Sequence, residues 1–114
     1  MSSFTHKIEI GFGVQLTSDG KRIDRGAAGA ALHRIGEEAL RLFGGFTLVN
    51  TQGAWRSVDG RVFRENGRTL MVLVNEEETP SFRRRAAVLA EYIRNELLQM
   101  AVVLTISNVN SHYV

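Results

Sequence analysis

Apolar and polar residues alternate cleanly from Lys7 to Leu16. Ile8, Ile10, Phe12, Val14 and Leu16 share one face, and Lys7, Glu9, Gly11, Gly13 and Gln15 share the other. Period two predicts a strand with one buried face, and Thr17-Ser18-Asp19-Gly20 is the turn chemistry that ends it. From Asp24 to Phe43 the period changes. Ala28, Leu32, Ile35, Ala39 and Leu42 recur at spacings of three and four, which predicts a helix with one buried stripe. Asp24 suits the N-cap and Gly44-Gly45 the left-handed stop. Gly26, Gly29 and Gly36 each weaken such a helix by about 1 kcal/mol relative to alanine. Either they allow close packing on a sheet, or the first turn is looser than the stripe suggests.

Phe46 to Ser57 reads as a second strand with a bulge expected at Gly53, and Val58-Asp59-Gly60 as a hairpin turn. Asn66-Gly67 is either a second hairpin turn or a bulge within one long strand from Arg61 to Val74; the shortness of 61–65 favours the bulge. Leu70 to Val74 is apolar on both faces, as a central strand is. Thr79-Pro80 predicts a helix start, capping hydroxyl first and proline at the first helical position. Phe82, Ala86, Leu89, Ile93 and Leu97 carry that helix to about Gln99. Ala101 to Ile106 is the last predicted strand, and 108–114 a polar tail expected to be partly disordered.

The predicted order is β-α-β-β-α-β, the ferredoxin-like α+β arrangement, an antiparallel sheet with both helices on one face. One domain spans 1–114, with its core at about 7–107. With Leu70, Val72, Val102 and Leu104 turned to the helices, Met71, Leu73, Ala101 and Val103 fall on the open face. An open apolar face needs covering, so these four residues are the expected interface of a homo-oligomer, a dimer in the simplest form. An exposed strand edge is the other route to pairing.

Composition narrows the chemistry. At 114 residues with 44% hydrophobic and 23% charged residues, the chain can build a core without staples. There is no cysteine, which removes disulfides, thiolate metal sites and cysteine nucleophiles. Residues 1–7 contain no signal-like apolar stretch, and the run Met100–Leu104 is far below the ~20 residues of a membrane span. The expectation is a cytoplasmic protein with no membrane partner. The net charge of +2 is too small for a nucleic-acid footprint, so nucleic acid is not the expected partner.

Sequence motifs exclude more than they assign. His6, His33 and His112 lie on separate elements and form no zinc spacing, so no metal and no cofactor are expected. Gly11-Phe12-Gly13 lies inside a strand and lacks a third glycine, and no Walker sequence occurs. Those strand glycines leave a shallow trough that admits a ligand or a partner backbone. There is no Gly-x-Ser-x-Gly. Tautomerase-like catalysis needs an N-terminal proline, whereas the sole proline is Pro80. Arg83-Arg84-Arg85 opens the second helix at the wrong end for cations; Glu76-Glu77-Glu78 is expected to offset it, with an anion contact through Arg83 or Arg84 as the rival.

The stretch with the most functional character runs from Thr51 to Arg56 and on to Arg61, Arg64 and Glu65. Trp55 offers a stacking face, Gln52 a hydrogen-bonding amide, and Arg61 or Arg64 a grip on an anionic group. Glu65 is the one weak candidate for acid/base chemistry. The competing structural account is a hairpin in which Trp55 packs on the core edge while arginine and glutamate pair across strands.

The pattern Gly53-x-Trp55, Asp59-Gly60-Arg61, Arg64-Glu65, then a helix with Tyr92 and Gln99 leading into Val102-Val103-Leu104, resembles a family of small uncharacterised bacterial α+β proteins. The match covers roughly 7–107. Many members are exported, whereas this chain begins without a signal; Asn66-Gly67 is inserted, and the Tyr-to-Gln spacing is one residue long. The resemblance implies that Trp55 and Glu65 are a shared feature and implies no reaction. The expected function is therefore a non-catalytic binding module, homo-oligomeric, recognising a protein partner or a small anionic ligand, an inhibitor of host machinery being one form of it. The alternative is a small-molecule enzyme with Glu65 as acid/base and Trp55 and Arg64 positioning an anionic substrate.

Overall fold

A computed structural model describes residues 3–99 and 101–114; Met1, Ser2 and Met100, the first residue of the apolar run noted above, lie outside them. Six elements follow one another: β1 (Ser3–Gly13), α1 (Arg25–Phe43), β2 (Thr47–Arg56), β3 (Val62–Val74), α2 (Phe82–Glu96) and β4 (Val103–His112). The strands form one antiparallel sheet in the order β2-β3-β1-β4. This is the ferredoxin-like α+β fold that the sequence pattern predicts.

The core follows from the two periodicities. Ile8, Ile10, Phe12 and Val14 of β1 and its exit, with Leu70, Val72 and Val74 of β3, meet Ala31, Ile35, Ala39 and Leu42 of α1 and Phe82, Ala86, Leu89 and Ile93 of α2. Ile8, Ile10, Ile35, Leu70, Leu89 and Ile93 are fully buried. Burying each such side chain contributes about 1.5–3 kcal/mol. Gly36 faces this layer, and a Cβ there would lie 3.0 Å from the Phe46 ring, so one of the three helix glycines does serve close packing.

Local caps set the ends of α1. The Asp24 carboxylate accepts the Ala27 amide at 3.0 Å, and Gly44, at φ 78°, closes the helix with its amide on the Leu40 carbonyl. The start of α2 is two residues later than Thr79-Pro80 predicts. Ser81 precedes the helix without a side-chain cap, its hydroxyl accepting the Arg85 Nε at 3.0 Å instead, and upstream the Asn75 side chain takes the Glu77 and Glu78 amides and builds a separate turn. Arg85 then reaches from α2 to donate to the Leu42 carbonyl at 2.7 Å, joining the start of one helix to the end of the other. No ion pair among the described residues joins Glu76–Glu78 to Arg83–Arg85, so the expected offset is not made; the Arg83 guanidinium lies over the Phe82 ring at 5.0 Å.

Three strand expectations change. The β2–β3 pairing runs unbroken from Thr47↔Met71 to Arg56↔Val62, so there is no bulge at Gly53, and Asn66-Gly67 is neither turn nor bulge but part of one continuous strand. Gly53 sits in register with Glu65, and a Cβ there would meet nothing within 4 Å. β1 begins earlier, at Ser3, and this gives β4 a longer partner. The polar stretch from Asn108 to His112 therefore pairs with Ser3, Phe4 and His6 instead of trailing free, with the Phe4 and Tyr113 rings edge-to-face at 5.3 Å. Ala101 precedes β4 and is not a strand residue.

Candidate functional site

The site is built where β1 leaves the sheet. Past Gly13 the chain turns away through Gln15 and Leu16, so residues 62–65 of β3 have no paired strand on that side. Strand alternation puts Leu70 and Val72 on the helix face, and therefore Phe63, Glu65, Gly67 and Thr69 on the open face. Their cross-strand partners on β2 are Trp55, Gly53, Thr51 and Val49, and on β1 Gly13 faces Gly67. Gly13, Gly53 and Gly67 thus line one opening with Glu65, and of the three it is Gly13 that the carboxylate covers. The trough expected on β1 is real and wider than β1 alone.

Glu65 lies across this floor. Its Oε2 accepts the Leu16 amide at 3.1 Å and the Gln15 amide at 3.4 Å. Oε1 takes no donor among the described residues. An ideal Cβ on Gly13 would sit 2.5 Å from both Glu65 oxygens, so the carboxylate occupies the space a side chain there would need. The Gln15 side chain accepts the Asn66 amide at 2.7 Å and holds the departing chain against β3. At the far end of α2, the Gln99 amide donates to the Leu16 carbonyl at 2.8 Å and secures the same loop. The carboxylate is therefore fixed by backbone at one oxygen and free at the other, a geometry suited to accepting a ligand hydroxyl or facing a cation.

Beside it stands an aromatic platform. Trp55 and Phe63 stack with centroids 4.4 Å apart and planes 19° off parallel, and the Arg61 guanidinium lies 5.2 Å from the Phe63 ring centre. Trp55 is 39% exposed, so its outer face is open to a ligand ring. Phe63 was not a sequence candidate. The signal existed: the turn centres on Asp59, so residues four before and four after it must face each other. The core-edge account of Trp55 does not hold, and neither does arginine–glutamate pairing across the strands. Arg61 pairs instead with Asp59 at 2.9 Å, and the Ser57 hydroxyl, followed by the Arg61 amide, holds the Asp59 carboxyl below its ordinary range.

The other candidates divide. Gln52 and Arg64 belong by alternation to the helix face, opposite Trp55. They still border, with Gln15, Gly53, Glu65 and Asn66, a depression of about 420 Å³ that opens where β1 departs. Met71 and Leu73 do face away from the helices and are half-buried, lining an opening of about 420 Å³ with Phe4, Phe46 and Tyr113. Val103 is on the open face and 68% exposed. Ala101, off the strand, is not part of that face. Among the described residues no three His, Asp or Glu side chains gather to hold a metal, and no helix is long and apolar enough to cross a membrane.

No protein-family model and no curated protein matches the sequence. Among solved structures, a phage SAM lyase in complex with S-methyl-5'-thioadenosine is similar with a TM-score of 0.70 at 14% identity, over 95% of this chain and 84% of that one. The periplasmic divalent cation tolerance protein CutA from Archaeoglobus fulgidus gives a TM-score of 0.54 at 9% identity, over 98% and 88%. CutA1 from Oryza sativa gives 0.56 at 12%, over 96% and 85%. At these identities what the chain shares with all three is the fold.

Proposed function

We propose that this chain is a small-ligand module that seats a thioadenosine-type nucleoside, or its sulfonium parent S-adenosylmethionine, on the open sheet face, and that it works as a homo-oligomer. One observation carries the reading: Glu65 is fixed at Oε2 by two backbone amides, Oε1 takes no donor among the described residues, and the carboxylate lines one opening with Trp55. A carboxylate so placed accepts ribose hydroxyls or faces a sulfonium, while indole stacks on purine. The phage SAM lyase supports the ligand class, since its fold is shared over nearly the whole chain and its structure holds S-methyl-5'-thioadenosine. Val49 and Val103 are large apolar side chains left uncovered on this face, and a second copy would cover them.

A second reading is favoured by the same carboxylate. If the ligand is S-adenosylmethionine, Glu65 would steady the sulfonium charge until an oxygen of the ligand's own carboxylate attacks the γ-carbon, the carbon–sulfur bond breaks, methylthioadenosine leaves with the bonding pair and the remainder closes to a lactone. Arg64, across the sheet from Trp55, has no part in this account.

Calorimetry with methylthioadenosine and with S-adenosylmethionine tests the binding. Saturable uptake that weakens at least tenfold, about 1.4 kcal/mol, in Glu65→Gln and in Trp55→Ala supports it. No binding at millimolar ligand, or equal binding by both variants, sinks it. Chromatographic release of methylthioadenosine from S-adenosylmethionine separates cleavage from binding alone. Sedimentation showing only monomer at micromolar concentration would remove the oligomer.

A further inference from the structure

On the other side of the sheet lies a second opening, of about 480 Å³, between the start of α1 and β3. Its rim carries Arg22, Arg25 and Arg68. These guanidinium groups come from three separate segments: the loop after β1, the first turn of α1 and the middle of β3. None of the three is in an ion pair among the described residues, and no Asp or Glu lines the opening. Asp24, the nearest acid in sequence, is committed to the Ala27 amide. Arg68 is half-buried and donates one nitrogen only to the neighbouring Gly67 carbonyl, at 2.9 Å.

A half-buried arginine without a counter-charge is costly unless something anionic meets it. Ile23, Ala28 and Leu32 form the apolar wall behind the three charges, and Asn66 adds a neutral amide. The rest of the helix-facing side of the β2–β3 ribbon continues the same sign. Arg56 and Arg64 project there by alternation, with Asn50 and Gln52 between them and no acid. The volume falls within the usual range for small-molecule sites, about 300–1,000 Å³.

We infer that this opening is an anion site for a small phosphate-bearing ligand, gripped by Arg68 with Arg22 and Arg25. Fork-shaped guanidinium donors pair bidentately with phosphate, and three of them converge where no protein carboxylate competes. Arg68 belongs to the opposite sheet face from Trp55 and Glu65; the opening shares Gln15 and Asn66 with the depression beside Glu65, and the site stands whether or not a nucleoside binds there.

Pyrophosphate is the probe, titrated calorimetrically at about 50 and 200 mM salt. The expectation is saturable binding that drops at least tenfold in Arg68→Ala. It should stay unchanged in Arg84→Ala, which removes an exposed charge on α2 that makes no ion pair among the described residues. If circular dichroism shows Arg68→Ala unfolded, the pair Arg22→Ala and Arg25→Ala, both exposed, reads the same loss. Absence of saturable binding overturns the inference, as does equal weakening by Arg84→Ala. Tighter binding of a single-stranded oligonucleotide, with a steep salt slope, overturns it in favour of a nucleic-acid surface.

Discussion

Substituting Gly13 with alanine tests the geometry of the carboxylate without touching it. Gly13 is not among the glycines at positive φ, so alanine suits its backbone, and the only obstacle is space. The new Cβ would stand 2.5 Å from both Glu65 oxygens against an ordinary contact of 3.4 Å, so the carboxylate must retreat by about 0.9 Å. Its hydrogen bonds to the Leu16 and Gln15 amides start at 3.1 and 3.4 Å and do not survive such a move. Hydrogen bonds to a charged group are worth about 1.5–3 kcal/mol, and less here because the half-exposed carboxylate rehydrates. Alanine returns about 0.4–1 kcal/mol by restricting the unfolded chain. The net loss is about 1 kcal/mol, or a fall in Tm of about 4–8 °C for a domain near this size. Thermal unfolding followed by circular dichroism reads it, in a double-mutant cycle with Glu65→Ala. Once the carboxylate is gone, Gly13→Ala should cost nothing or stabilise slightly, leaving a coupling of about 1 kcal/mol or more. If the two substitutions add within about 0.5 kcal/mol, the carboxylate is not held over Gly13 and the site as described is wrong.

Two further outcomes follow from the helices and the surface carboxylates. In α1, Gly29→Ala meets nothing within 4 Å and should gain about 0.5–1 kcal/mol of helix propensity, whereas Gly36→Ala meets the Phe46 ring at 3.0 Å and should gain little or lose; urea midpoints of the two variants moving together would contradict the packing of Gly36. Stability should also fall with acid. The Thr17 hydroxyl at Asp19, Arg41 at Glu38, the Ser57 hydroxyl at Asp59 and Arg94 at Glu91 each hold a carboxyl below its ordinary value, so these contributions are present above the unfolded values of 3.8 for Asp and 4.5 for Glu and are lost as pH falls through the lower folded values. Because Asp19, Asp59 and Glu91 are exposed and only Glu38 is partly covered, the decline is shallow; a urea midpoint unchanged between pH of about 5 and 3 would contradict it.

Local chemistry was legible wherever the interacting residues are close in sequence. Asp24 bounds α1 with its carboxylate and Gly44 with its left-handed backbone, and period two and period 3.6 sorted nearly every core residue. Turn symmetry about Asp59 could even have paired Trp55 with Phe63. Thr79-Pro80 misled because the chain makes one more turn, closed by the Phe82 amide on the Thr79 carbonyl, before α2 begins.

What tertiary structure decided is what depends on register between distant strands. Gly13 and Glu65 are 52 positions apart, and only the pairing of Gly13 with Gly67 brings the carboxylate over the glycine. The polar end of β4 is a strand because β1 begins at Ser3 and offers it backbone partners, a hydrogen-bonding supply that no side-chain pattern announces. Arg22, Arg25 and Arg68 likewise gather only once α1 packs on β3. A sequence specifies its caps, periods and turns through neighbours within a few residues. Which faces then meet, and which charges are left without a partner, is settled when the sheet closes.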